Sequence, residues 1–384
     1  MYIDRIKLTN WRNFRSLDVP LSDVTYVLGP NASGKSNLLD VLRFLRDISK
    51  PNGGGLQVAV KDRGGISKLR CLHARRNPEV VIELHLSESP DDEKPRWRYI
   101  LGFKPEGKGA QRILVSREEV WKQGRELFSR PDSHDGDDVA MLTQTRLEQI
   151  ATNSGFRPLV EFFASITYLH LVPQLLKYSD QIGGSRLEND PFGQGFLEKL
   201  AGTNERTRNS RLAKINTALK SAVPQFSELR FVKDSMGRPH LEARYEHHRP
   251  NAGWQSQDQF SDGTLRLLGL LWSLLDGDSL LILEEPEISL NNSVVQEIPL
   301  MISKLQRKRK SRRQVLVSTH SEALLSNPGI DGRGVVLLET GHDGSTGRSL
   351  NEDEGFALQS GLSIAEVVLP KTRPSMVDQL SLFE

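Results

Sequence analysis

An eight-residue stretch, Gly29-Pro30-Asn31-Ala32-Ser33-Gly34-Lys35-Ser36, constrains this chain more than any other. It fits G-x-x-x-x-G-K-[ST], the phosphate-binding P-loop. The flanks have the character the motif needs. Val24-Thr25-Tyr26-Val27-Leu28 is apolar and rich in β-branched residues, as a buried strand is. After the loop, Leu38, Leu39, Val41, Leu42, Leu45 and Ile48 recur at helical spacing. The stretch therefore joins a strand to a helix, a context that a chance glycine-rich turn would not supply. Gly29 and Gly34 let the backbone curl so that its N–H groups face phosphate oxygens. Lys35 is expected to reach the β/γ-phosphates, and the Ser36 hydroxyl to ligate Mg²⁺. The helix N-terminus adds its positive dipole end. The expected nucleotide-binding residues here are Gly29, Asn31, Ala32, Ser33, Gly34, Lys35, Ser36 and Asn37.

The chain has 384 residues, enough for two domains or for one large domain with an inserted lobe. Its single cysteine, Cys71, excludes an intrachain disulfide and fits a reducing cytoplasm. The opening residues have no signal-peptide shape. The longest apolar run, 267–275, is too short to cross a membrane, so a cytoplasmic protein without a membrane partner is expected. The net charge of +2 decides nothing by itself.

Along the chain, Ile3, Ile6 and Leu8, then Leu17 and Val19, mark two short strands expected beside the P-loop strand. Pro51-Asn52-Gly53-Gly54-Gly55 breaks the P-loop helix. Strand-like segments at 79–86, 96–103 and 112–121 imply a β-rich lobe. The polar stretch 122–138 is expected to be a mobile surface loop. Segments 158–166 and 204–222 have helical patterns, and 226–232 and 241–245 suit a strand pair. From Gln259 to about Leu338 the pattern is α/β again. These shifts divide the chain into an N-terminal ATPase lobe at 1–157, an inserted, mainly helical lobe at 158–254, a C-terminal ATPase lobe at 255–369 and an extended tail at 370–384.

Leu280-Leu281-Ile282-Leu283 is an apolar strand that ends in Glu284-Glu285-Pro286-Glu287, a Walker B arrangement. Such a strand presents its carboxylates at the C-terminal sheet edge, where α/β ligands bind. Glu284 is expected to hold Mg²⁺, and Glu285 to polarise the attacking water as general base. Upstream lies Phe260-Ser261-Asp262-Gly263-Thr264; downstream, Val315-Leu316-Val317-Ser318 runs into Thr319-His320-Ser321.

With these four motifs in this order, the chain resembles ABC-type ATPases, and within them the RecF/SMC-like group that includes the ATPase domains of OLD-type proteins. Ser261-Asp262-Gly263-Thr264 stands at the signature, Ile288-Ser289-Leu290-Asn291-Asn292 at the D-loop and His320 at the switch histidine. Asn13-Phe14-Arg15 looks like the opening of RecF-like ATPases. The fold so implied is an α/β ABC-type head with a mixed β-sheet, a β-rich lobe and an inserted helical lobe. The resemblance further implies a homodimer in which Ser261 and Gly263 of one copy complete the ATP site of the other, with Glu285 and His320 as catalytic residues. The D-loop departs from the family by carrying Asn291 or Asn292 in place of an aspartate. Gln57 is a candidate Q-loop residue. No sustained heptads fill the insert, which excludes a long coiled-coil arm. No acidic pair after His320 marks a nuclease, so a nuclease or toxin would have to come from a partner.

Two further stretches point to partners. Residues 304–313 carry seven cations and no acid. A solvated helix end would explain them; contact with DNA phosphates through Arg307, Lys308, Arg309, Lys310, Arg312 and Arg313 would as well. Near the C-terminus, Gln379-Leu380-Ser381-Leu382-Phe383 resembles the peptide that binds the bacterial sliding clamp. Its apolar residues suit a shallow pocket, whether the clamp's or this protein's own. The expected function is Mg²⁺-dependent ATP hydrolysis coupled to dimerisation, acting on DNA in bacterial repair or anti-phage defence. An ATP-gated scaffold for a nuclease or toxin is the alternative. A transporter subunit is disfavoured by the RecF-like opening, Glu284-Glu285 and the tail.

Overall fold

The computed structural model describes residues 1–74, 77–89, 92, 94–107, 112–178, 192–246, 253–308 and 312–372. It divides into two units: Met1–Ile166 with Arg313–His320 and Ile330–Glu384, and Thr167–Arg312 with Ser321–Gly329. Together they give a mixed α/β architecture of several sheets and helices.

The first unit holds the P-loop. Its strand, Val24–Leu28, pairs in parallel with Val315–Ser318 and with Val335–Gly341. Val335–Gly341 in turn pairs antiparallel with Gly344–Ser349, which makes the sheet mixed. The helix Lys35–Ser49 follows the loop, and Leu38, Leu39, Leu42, Leu45 and Ile48 are fully buried, as their spacing requires. On the same helix, Phe44 lies between Trp11 and Phe103, with ring centroids 5.2 and 5.4 Å away. Each such aromatic contact adds about 0.5–1.5 kcal/mol to the burial itself.

Trp11 and Phe103 belong to a different sheet, and here the structure corrects the sequence reading. The opening strands Tyr2–Trp11 and Phe14–Pro20 do not flank the P-loop strand. They form one edge of a six-stranded antiparallel sheet with Val80–Ser87, Trp97–Pro105, Ile113–Lys122 and Arg125–Arg130. The register Leu8↔Leu17 and Leu8↔Ile82 puts the apolar residues of three strands on one face. A strand pattern shows that a segment pairs, but not with which partner.

A second correction concerns 122–138, which is structured. Arg125–Arg130 is a strand, and Asp132 and Asp135 form a capping box on the helical turn Ser133–Asp137. The reason is Arg130, whose side chain is 1% exposed. It donates to Asp135 at 2.5 and 3.0 Å and to the carbonyls of Gln144 and Met141. A third correction concerns the tail: Pro370, expected in an extended segment, lies inside the helix Ile364–Thr372.

Beside Arg130, at 3.6 Å, is the fully buried Glu118. Burial raises its pKa to about 7, against the N–H of Arg146, the charge of Arg130 and the Tyr99 hydroxyl, which lower it. The folded protein thus keeps this proton through a range in which the unfolded chain, with an ordinary carboxyl, has lost it. The stabilisation from this proton is complete below pH ~4.5 and is lost as pH rises through about 7. Relative to Glu118→Gln, the native chain should lose stability between pH 5 and about 8. Denaturant titrations across that range measure it; a stability difference independent of pH would refute it.

Asp40 behaves oppositely. Burial raises its pKa, but Arg63, Arg12 and Arg43 together hold it below the usual carboxylate value. Arg12 donates at 2.6 Å and Arg63 at 3.0 Å, tying the P-loop helix to the Arg12 turn and to the helix Leu56–Asp62.

The second unit packs the helix Asp262–Leu275 against the helix Glu205–Ala222 and the strand pair Phe226–Lys233 and Pro239–Tyr245. Leu265, Leu268 and Trp272 meet Leu212, Ile215, Leu219, Leu229 and Leu241 in one core. The strand Leu281–Glu284 pairs in parallel with Thr167–Leu169. Among the described residues, no helix is long and apolar enough to cross a membrane.

Candidate nucleotide-binding site

The P-loop leaves its strand through Gly29. A Cβ there would lie 2.5 Å from Ser33 Oγ and 2.7 Å from the Leu338 carbonyl, so only glycine fits. Ala32 has φ +64° and Gly34 φ +102°, which turn the backbone into the helix Lys35–Ser49. A Cβ on Gly34 would collide with the Asn13 amide. Asn31 sits exposed in the same turn, and Ser33 is fully buried.

Asn13, read from sequence only as part of the Asn13-Phe14-Arg15 opening, is a positioning residue for the loop. Its Nδ2 donates to the Ser33 carbonyl at 2.9 Å and to Ser345 Oγ at 2.7 Å, and its Oδ1 accepts from Asn37 Nδ2 at 2.8 Å. Trp11 Nε1 adds a bond to the Asn37 carbonyl at 2.8 Å. The hairpin turn thus grips the C-terminal half of the loop and the first turn of the helix that follows. Lys35 is buried, and its Nζ donates to the carbonyls of Gly29, at 2.9 Å, and Pro30, at 3.3 Å. Its charge is therefore held within the loop's curl, where backbone dipoles and an ammonium suit an anion. Ser36 follows in the first helical turn.

His320 ends the strand next door. Ser318 is in register with Val27, and Thr319 N donates to the Val27 carbonyl at 3.3 Å. Exposed His320 therefore stands at the same sheet edge from which the P-loop departs. Gln57, the candidate Q-loop residue, has its amide engaged within the β-rich part of the first unit. Its amide donates to the carbonyls of Ile113 and Thr143, both at 2.8 Å, and accepts from Ile113 N at 3.1 Å, which makes it a structural clasp.

In the second unit, Glu284 closes the strand Leu281–Glu284, and the Tyr168 hydroxyl donates to its Oε2. Glu285 has φ +44°, a left-handed conformation that costs a non-glycine residue about 1–2 kcal/mol. Ser261 caps the signature helix: its Oγ accepts from Thr264 N at 3.1 Å. Gly263 is required by close approach, since a Cβ there would lie 2.7 Å from the Ser289 carbonyl of the D-loop. Asp262 is held by Lys177 at 2.7 Å and Gln174 at 2.8 Å. Burial lowers the pKa of Arg266, while Asp262 and Glu285 oppose that shift, so a cation of this helix stands close to both acids. Asn291 caps the next helix: its Oδ1 accepts from Ser293 N at 2.9 Å, a role that an aspartate would fill equally well.

The proposed metal ligands are a serine hydroxyl and a carboxylate, hard oxygen donors that suit Mg²⁺. Among the described residues no cluster of three or more His, Cys, Asp or Glu could hold a metal. Mg²⁺ bound to a nucleotide needs only one or two protein ligands, and a serine hydroxyl and a glutamate carboxylate are each of a type that suits it.

The basic run is only partly on display. Arg307, near the end of the helix Asn292–Lys308, and Arg312 are exposed. Arg313 is 2% exposed because the chain is already entering the strand Val315–Ser318, so it cannot belong to an open phosphate-binding surface. Arg309 and Lys310, the Lys308 side chain, and the tail residues Gln379, Leu380, Ser381, Leu382 and Phe383 lie outside the described residues.

Comparison with known proteins gives a family and a fold. A family model described as "AAA domain, putative AbiEii toxin, Type IV TA system" matches residues 24–326. The chain is similar to the DNA replication and repair protein RecF of Oceanobacillus iheyensis, 30% identical over 91 residues, 23% of this chain and 24% of that protein. The RecF of Roseiflexus castenholzii is 38% identical over 101 residues, 24% of this chain and 26% of that one. The match thus spans about a quarter of these curated relatives. Among solved structures, an SMC head bound to the C-winged helix domain of ScpA aligns with TM-score 0.58 at 15% identity, over 92% of this chain and 100% of that one. An Smc head domain with a coiled coil and joint from Pyrococcus yayanosii aligns with TM-score 0.51 at 12% identity, over 97% of this chain and 100% of that one. At such identities the likeness is one of fold.

Proposed function

The chain belongs to the AAA family matched above, and on that premise we propose that ATP-driven pairing of two copies lets it act on, or sense, DNA in bacterial repair or anti-phage defence. It is an ATPase of the RecF/SMC-like ABC type. The observation that carries the reading is the P-loop itself: Lys35 held in the loop's curl, the loop gripped by Asn13, and His320 at the same sheet edge. In this reading Gly29, Asn31, Ala32, Ser33, Gly34, Lys35, Ser36 and Asn37 bind the nucleotide. Ser36 and Glu284 would hold Mg²⁺, which when bound neutralises phosphate charge. Glu285 accepts the proton of the attacking water, and His320 orients near the γ-phosphate. Ser261 and Gly263, at the N-terminus of a long buried helix, offer a second anion-binding end to the nucleotide of the other copy.

The DNA part rests on the similarity to RecF and on the exposed cations Arg307 and Arg312; the sliding-clamp part rests on residues 379–383. One experiment tests both: the ATP hydrolysis rate with and without duplex DNA, and with and without a bacterial sliding clamp, for the full chain and for a chain lacking 379–384. Stimulation by DNA that fades with salt supports the first, and a clamp effect lost with the tail supports the second. Rates unmoved by either would favour a second reading. The family's description names a toxin of a Type IV toxin–antitoxin system, and there ATP would gate a partner nuclease or toxin instead.

A further inference from the structure

We infer that Tyr168 is a positioning residue for Glu284, setting the carboxylate that this reading gives to Mg²⁺; the inference rests on that assignment. The sequence offers no motif at Tyr168. It becomes visible through register. The three-residue strand Thr167–Leu169 runs parallel to Leu281–Glu284, with Leu281↔Thr167, Ile282↔Tyr168 and Leu283↔Leu169 as partners. Side chains alternate along a strand, so Ile282 and Glu284 share the face on which Tyr168 lies. A long side chain leans along its strand, and the Tyr168 ring reaches one pleat forward, placing its hydroxyl on Glu284 Oε2.

Three features mark this contact as more than packing. Tyr168 is 5% exposed, so its ring is a core side chain, and a phenylalanine would fill the same space. The bond joins a phenol to a carboxylate at a strand end, a charge-assisted bond of the stronger kind. The same segment also approaches the main chain of Glu284: His170 Nδ1 lies 3.4 Å from its carbonyl oxygen. Side chain and backbone of this acid are thus both addressed by residues 168–170. Mg²⁺ tolerates little departure from octahedral geometry, so an acid that meets it, directly or through water, gains from a fixed rotamer. Glutamate, with one more methylene than aspartate, has more rotamers to lose. The Tyr168 bond supplies the restraint that the longer carboxylate requires.

The test is Tyr168→Phe in the full chain, which removes one hydroxyl. The Mg²⁺ concentration for half-maximal ATP hydrolysis should rise about tenfold, the usual effect of losing an outer-shell partner. The rate at saturating Mg²⁺ should stay within about twofold, a split that general loosening of the fold would not produce. Binding of a fluorescent ATP analogue, measured in EDTA and in Mg²⁺, gives the second readout: affinity in EDTA unchanged, and the gain on adding Mg²⁺ reduced. In a Glu284→Gln background the hydroxyl should no longer matter. An unchanged Mg²⁺ requirement, or an equal loss of analogue affinity in EDTA, overturns the positioning role. If Glu284→Gln itself leaves the Mg²⁺ requirement of the native chain unaltered, the assignment of Glu284 falls first, and that result is distinguishable from failure of Tyr168 alone.

Discussion

Glu285→Gln is expected to slow ATP hydrolysis by ~10²–10⁴-fold, the usual contribution of a general base. Glutamine keeps the volume and the local hydrogen-bond acceptor but cannot take a proton. The residue sits directly after the strand Leu281–Glu284 in a left-handed turn, φ +44°. Its own carbonyl accepts from Ile288 N at 3.3 Å, so the turn that holds it is main-chain built and should survive the substitution. Binding of Mg²⁺ and ATP should therefore stay close to native. With cleavage blocked, a γ-phosphate bridging two copies as proposed would persist, and light scattering should find a stable ATP-dependent dimer. Native turnover in the variant would remove Glu285 as the base. Slow turnover without a dimer would keep the base and remove the ATP-bridged pair.

Arg130→Ala is expected to cost about 3–5 kcal/mol of stability, because removing one member of a buried ion pair leaves its partner uncompensated. The guanidinium satisfies two acids and two carbonyls at once: Asp135 by a fork, Glu118 at 3.6 Å, and the Gln144 and Met141 carbonyls at 2.9 and 3.0 Å. Arg130→Lys should recover only part of the loss, since an ammonium cannot reproduce the planar fork. The Glu118 proton would be held still more firmly without the neighbouring cation, so the fall of stability with pH should begin later. Chemical denaturation of the three proteins at pH 6 and pH 8 measures both effects. An alanine variant within 1 kcal/mol of native would show that the network is dispensable.

Parts of this molecule were legible because their determinants are contiguous. The strand and helix flanking the P-loop follow from runs of apolar residues, and they appear as Val24–Leu28 and Lys35–Ser49. The strand pair expected at 226–232 and 241–245 appears as Phe226–Lys233 paired with Pro239–Tyr245. The segment 122–138 was misread because its composition is polar. Polarity marks exposure only on average, and here Arg130 and Asp135 are buried because they neutralise one another. Gln57 could not be placed from sequence for a related reason: an isolated glutamine carries no sign of what its amide will meet.

By itself the sequence determined the chemistry of the phosphate loop, the acids that end the strand Leu281–Glu284, and the order of motifs that places the chain among ABC-type ATPases. These depend on residue type and spacing over a few positions, which the backbone's local geometry turns directly into structure. Tertiary structure alone decided what supports them. Asn13 bonds to Ser33, 20 residues on, and to Ser345, 332 residues on. Tyr168 meets Glu284 across 116 residues of chain. Such contacts depend on which strands become neighbours and in which register. A shift of one residue would turn either side chain to the opposite face, and no local pattern encodes that choice.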